Sequence, residues 1–120
     1  YDEVTPLGPT KMMIVHNGNL TPMSLDPSDY GIQPCNPEEL AVHSKSEAVD
    51  VLKNILAGKG PRAMMDMVIL NVGVAMFLLE EHMDLYLEQG MDRKDAMKQV
   101  AKDRGISKRD VYQVLVERKL

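Results

Sequence analysis

The chain has 120 residues, 44% of them apolar and 27% charged, with a net charge of −4. That is one globular domain, long enough for a modest core. The lone cysteine, Cys35, excludes an intramolecular disulfide and a four-cysteine zinc site, and it suits a reducing, cytoplasmic location.

The apolar residues include ten Met, one Phe and no Trp, which predicts an adaptable core, because Met specifies geometry weakly. Charge divides unevenly. Residues 1–90 hold 5 Lys and Arg against 13 Asp and Glu, whereas residues 91–120 hold 9 against 5. An acidic body therefore meets a basic tail, a first sign of two joined pieces. The acidic start lacks an apolar leader, so no secretory signal is expected. The most apolar stretch, Met67 to Leu79, is too short to span a bilayer and contains Asn71, so it reads as a buried helix and no membrane partner is expected.

In chain order, YDEVTPLGPT places two acids, Asp2 and Glu3, at the start. Such a pair is inert when solvated, but at the exit of a buried strand it can hold a divalent cation. TKMMIV, HNG and NLTPMSL then predict a β-hairpin, with Asn17-Gly18 suited to a tight primed turn. Pro22 lacks a donor, so the second strand is an edge or is broken there. DPSDYGIQPCNP is turn-rich connector, and NPEEL begins a short helical turn with Asn36 as cap and Pro37 in the first position.

Ser44 and Glu47 fit a capping box, ahead of a helix whose apolar face is Ala48, Val51, Leu52, Ile55 and Leu56. Gly58 and Gly60 stop it, and Pro61 opens a long helix that ends at Gly90. Between Met64 and Leu79 that helix is apolar nearly all round, which predicts a central, buried position. Met64, Met65 and Met67 read as core filler. The tail predicts a helix capped by Asp92 with inner residues Ala96, Met97, Val100 and Ala101. A turn at Gly105 follows, then a second helix capped by Ser107 and lined by Val111, Leu115 and Val116. That is a helix-turn-helix pattern. His16, His43 and His82 show no metal-ligand spacing.

The segments YDEVTPLGPT, LDPSDYGI, EAVDVLKNILAGKGP and DMVILNVGVAMFL, with the hairpin between the first two, agree in order and spacing with one family. Residues 1 to about 80 resemble the C-terminal part of anthranilate phosphoribosyltransferase, a glycosyltransferase of tryptophan biosynthesis that transfers a phosphoribosyl group from phosphoribosyl pyrophosphate to anthranilate. The resemblance implies magnesium binding by Asp2 and Glu3 near the pyrophosphate. Carboxylate oxygens hold magnesium together with substrate phosphates and waters. The family's Gly-rich phosphate loop and its Lys-His-Gly-Asn segment occur nowhere in this sequence. Without them the reactants cannot be positioned, so no catalytic residue, and no small-molecule substrate of the chain alone, is expected.

From His82, the run ending in MKQVAKDRGISKRDVYQVL is similar to the C-terminal helical region of the small-subunit ribosomal RNA 2′-O-methyltransferase family, whose catalytic domain and S-adenosylmethionine site are absent here. Together the two resemblances imply a chimera of segments 1–81 and 82–120, with the join expected in the Leu78–Tyr86 helix and the whole expected to fold as one unit. Lys108, Arg109, Tyr112, Arg118 and Lys119 would form a basic recognition helix with weak RNA affinity, diluted by Asp103, Asp110 and Glu117.

The expected architecture is α+β: an N-terminal hairpin packed on a mainly helical body of four or five helices. Val100, Ile106, Val111 and Leu115 are expected to cover the long apolar helix. Failing that, homo-oligomerisation is the remedy. Three functional readings follow: a non-catalytic fragment or chimera, an RNA-binding helix-turn-helix module, or a transferase subunit completed by a partner chain.

Overall fold

A computed structural model describes residues 2–16 and 18–117, the side chain of Glu117 excepted. The turn residue Asn17 and the tail residues Arg118 and Lys119 lie outside the described residues. The architecture is α+β, as expected: an antiparallel hairpin followed by four helices. Strand β1 (Thr10–His16) pairs with β2 (Asn19–Leu25), with Thr10 opposite Leu25 and His16 opposite Asn19. Gly18 takes φ 76°, the left-handed conformation that a two-residue hairpin turn requires. Pro22 sits opposite Met13 without breaking the strand. In a two-stranded sheet its missing N–H can face outward.

The connector is more ordered than its turn-rich composition predicts. Pro27–Tyr30 forms one 3₁₀ turn, capped by Asp26, whose carboxylate accepts hydrogen bonds from the Ser28 N–H at 3.0 Å and the Ser28 hydroxyl at 2.7 Å. Pro37–Leu40 forms a second after Asn36, as expected, with the Asn36 N–H donating to Glu39 Oε1 at 2.8 Å.

Helix α1 (Lys45–Leu56) starts at Ser44, whose Oγ accepts from the Glu47 N–H at 3.1 Å. The Glu47 carboxylate reaches back one residue further than a capping box requires, accepting from the His43 N–H at 2.7 Å. No residue of α1 is buried: Ala48, Val51 and Ile55 are half-covered, while Leu52 and Leu56 face solvent. Helix α2 (Arg62–Glu88) is followed by α3 (Arg93–Arg104) and α4 (Lys108–Glu117).

Two compact units are present, residues 1–71 and 72–120. In the first, Val4, Thr5, Pro6, Leu25, Pro27, Ala63 and Leu70 are buried. In the second, Leu79 and Met83 of α2 pack with Ala96, Met97, Val100 and Ala101 of α3 and with Val111 and Leu115 of α4. The α3 inner face is the predicted one, and Val100 and Val111 are wholly buried. Gly105 ends α3 in the left-handed conformation, φ 64°.

Three expectations are corrected. The stretch of α2 read as buried all round is largely open, with Val68, Ile69, Val72 and Leu78 exposed. Helical periodicity reports apolar character; burial needs neighbours, and along α2 they cover Ala63 and Leu70 in the first unit and Leu79 and Met83 in the second. Ile106 is exposed and does not cover α2, because the turn after Gly105 precedes the inward-facing residues of α4. Finally, the 13-residue apolar stretch lies inside a 27-residue helix that is long and apolar enough to cross a membrane by length and composition.

Candidate functional site

Asp2 and Glu3 are both exposed, and their position is set by the residues that follow them. Val4, Thr5 and Pro6 are buried. The Val4 N–H donates to Asn71 Oδ1 at 3.1 Å, and Asn71 Nδ2 donates to the Val4 carbonyl at 2.7 Å. The same Nδ2 donates to the Met67 carbonyl one turn back on α2, at 2.8 Å, so the amide is braced against its own helix. The Pro6 carbonyl accepts from the Cys35 N–H at 3.1 Å, and the Thr5 hydroxyl accepts from the Leu7 N–H at 3.4 Å. The two acids therefore emerge from an anchored, buried segment.

Carboxylate oxygens are the donors magnesium selects, and it is commonly held by one or two of them with waters and phosphates completing the shell. Asp2 and Glu3 fit that role in donor type and number. Among the described residues, no group of three or more His, Cys, Asp or Glu side chains converges on a metal-sized space.

Asn71 went unassigned in the sequence, where it counted only as a polar interruption of an apolar run. A primary amide amid aliphatic residues is the available signal, because a covered amide needs partners. Its partner lies 67 residues away, a separation that local patterning cannot bridge.

Arg62 braces the start of α2, donating from Nη1 to the Gln33 carbonyl at 3.3 Å and to Asp66 at 3.1 Å. Beside it, burial raises the Cys35 thiol above its ordinary pKa, the opposite of what a thiolate nucleophile needs.

The three histidines are dispersed. His16 is half-buried at the end of β1 and His43 is exposed before α1. His82 belongs to a polar cluster joining α2 to α3. Its Nδ1 accepts from Arg104 Nε at 3.0 Å, and its Nε2 lies 3.2 Å from Asp103 Oδ2. Accepting at Nδ1 places the neutral ring's proton on Nε2, toward Asp103. Tyr86 donates its hydroxyl to the same Asp103 oxygen, and Gln99 donates to the other at 2.9 Å. These bonds hold the Asp103 carboxyl below its ordinary pKa, the Tyr86 contact foremost, and the same contact raises the Tyr86 phenol. The cluster ties α2 to α3 through His82, Tyr86, Gln99, Asp103 and Arg104.

On α4, Arg109 and Tyr112 are exposed and Lys108 is half-buried. Asp110 lies among them, its carboxyl held below its ordinary pKa chiefly by the Ser107 hydroxyl, which donates to it at 2.6 Å. This retained negative charge dilutes the basic face.

Comparison with known proteins follows the same lines. The sequence pattern of the "Glycosyl transferase family, a/b domain" matches residues 1–101, running through most of α3 and past residue 82. Over 85 residues the chain is 52% identical to an anthranilate phosphoribosyltransferase of Nitratidesulfovibrio vulgaris, covering 67% of this chain and 25% of that protein. It is 41% identical over 85 residues to that of Oleidesulfovibrio alaskensis, covering 71% and 26%. A bifunctional protein TrpGD of Thermotoga maritima is 35% identical over 81 residues, covering 67% and 14%. The chain thus spans about a quarter or less of the length of these relatives.

Proposed function

Because the chain belongs to the glycosyl transferase family, a/b domain, we propose that it is a non-catalytic piece of an anthranilate phosphoribosyltransferase, cytoplasmic and inactive alone. The observation that carries this reading is coverage: the matched 85 residues are 25% of the Nitratidesulfovibrio relative's length. The phosphate loop and the Lys-His-Gly-Asn segment have no counterpart in the sequence. Phosphoribosyl transfer depends on holding two reactants in line, and two carboxylates cannot do that.

Asp2 and Glu3 would hold a magnesium ion, which when bound neutralises charge on the departing pyrophosphate. Asn71 acts on them at one remove, fixing the Val4 peptide from which they extend. The chain becomes a working subunit only when the rest of the domain is supplied. The test is anthranilate turnover with phosphoribosyl pyrophosphate and magnesium. None is expected from the purified chain. With the upstream three-quarters of the Nitratidesulfovibrio relative added, turnover appears and falls at least tenfold in D2N/E3Q. Turnover by the chain alone would overturn the reading.

A second reading concerns the tail, which in our account is the methyltransferase-like half of a join. The exposed Arg109 and Tyr112, three residues apart on α4, favour residual RNA affinity, since helix faces of this kind contact phosphates and stacked bases. Binding to ribosomal RNA that weakens with salt and is lost in K108E/R109E is the expected result. Binding unchanged by that variant would remove it.

A further inference from the structure

The two units differ in how completely they cover their apolar residues. In residues 72–120, Leu79, Met83, Val100, Val111 and Leu115 enclose one another. In residues 1–71, α1 presents Val49, Leu52 and Leu56 to solvent at 49%, 55% and 80% exposure, and α2 presents Val68 and Ile69. Spacing of three and four residues places Val49, Leu52 and Leu56 on one side of α1. Helices this open on an apolar side mark an interaction surface.

We propose that Val49, Leu52 and Leu56 of α1, with Val68 and Ile69 of α2, dock the upstream three-quarters of a glycosyl transferase a/b chain. The inference deepens the functional reading and rests on it, naming the partner and the residues that meet it. Three observations select this occupant. All five residues lie within the family-matched segment 1–101, and the 85 residues aligned to each of two relatives make up only 25% and 26% of those proteins. The unit 72–120, by contrast, already encloses its apolar residues, with Val111 and Leu115 from beyond the match completing the cluster. A second copy is a poor occupant on charge: the unit 1–71 that bears this face carries 9 acidic against 5 basic side chains, so two such units brought face to face repel.

The test mixes the 120-residue chain with the separately produced upstream three-quarters of the Nitratidesulfovibrio relative, in magnesium-free buffer, and reads mass by light scattering after size exclusion. A 1:1 complex is expected, weakened at least tenfold by L52D/L56D and unaffected by Ile106→Asp, an exposed position beyond the family match. The chain eluting at its own 13.4 kDa beside a folded upstream piece would overturn the proposal, as would a homodimer lost in L52D/L56D. If the upstream piece does not fold alone, it is fused ahead of Tyr1. L52D/L56D should then lower the fusion's Tm by at least 5 °C while leaving that of the isolated chain unchanged, and equal shifts in both, or none, overturn docking. Complex formation without turnover would sink the metal-pair reading and leave the docking surface standing.

Discussion

Asn71 and Val4 exchange hydrogen bonds as two strands of a sheet would, the amide of one side chain standing in for a neighbouring backbone: Nδ2 to carbonyl at 2.7 Å, N–H to Oδ1 at 3.1 Å. Replacing Asn71 by Leu strands both Val4 groups in a partly covered site. The expected cost is about 1–3 kcal/mol, measured by urea unfolding. Asn71→Asp keeps the acceptor for the Val4 N–H but sets a carboxylate against the Val4 and Met67 carbonyls, so it should be no milder. A loss below a few tenths of a kcal/mol would show that the pair anchors nothing.

Val100 and Leu56 make a contrasting pair. Val100 is wholly buried between α3 and its neighbours, while Leu56 is 80% exposed. Val100→Ala removes two buried methyl groups and leaves a cavity, a loss of about 2 kcal/mol. Leu56→Ala in the isolated chain should change stability by less than about 0.5 kcal/mol. Equal losses at the two sites would contradict the described packing.

The Tyr86–Asp103 contact sets a pH signature. The Asp103 carboxyl is held below its ordinary 3.8, first by the Tyr86 hydroxyl, with Gln99 and His82 contributing. A carboxyl with a depressed folded pKa stabilises fully above the unfolded value, and that contribution disappears as pH falls through the folded one. The Tyr86 phenol is raised above 10.0, chiefly by the same hydrogen bond, so its contribution is present below pH 10 and lost at higher pH. Tyr86→Phe should shrink the acid-side fall in Tm and abolish the tyrosine-linked alkaline one. Two unchanged limbs would show that the contact is not formed in solution.

Ser107 closes the turn before α4, accepting from the Asp110 N–H at 3.1 Å and donating to its carboxylate at 2.6 Å. Ser107→Ala should cost about 1 kcal/mol, the usual worth of an N-cap, and Ser107→Asp should recover less than half of it, because Asp110 would then face a like charge. Helix content by circular dichroism and urea midpoints would check this.

What sequence pattern revealed was local. Asp92, Ser107 and Gly105 mark their helix ends through hydrogen bonds and φ angles made within three or four residues. The inner face of α3 was legible for the same reason, since 3.6-residue periodicity puts Ala96, Met97, Val100 and Ala101 on adjoining positions. Leu52 and Leu56 misled, because an apolar stripe has the same spacing whether its cover lies in this chain or in another. Asn71 was hidden by distance, since its partner Val4 lies 67 residues away. Asp2 and Glu3 entered only through the family resemblance, because periodicity assigns nothing to a pair of exposed acids.

The closed cluster of the second unit draws its members from both sides of residue 101. Leu79, Met83, Val100 and Ala101 lie within the family's pattern, and Val111 and Leu115 lie beyond it. A lineage that exchanged its ending would therefore have been filtered for shape at two aliphatic positions. Val111 and Leu115 act as a stopper fitted to its bottle, and a change of volume in either would have to be met by Leu79, Met83 or Val100.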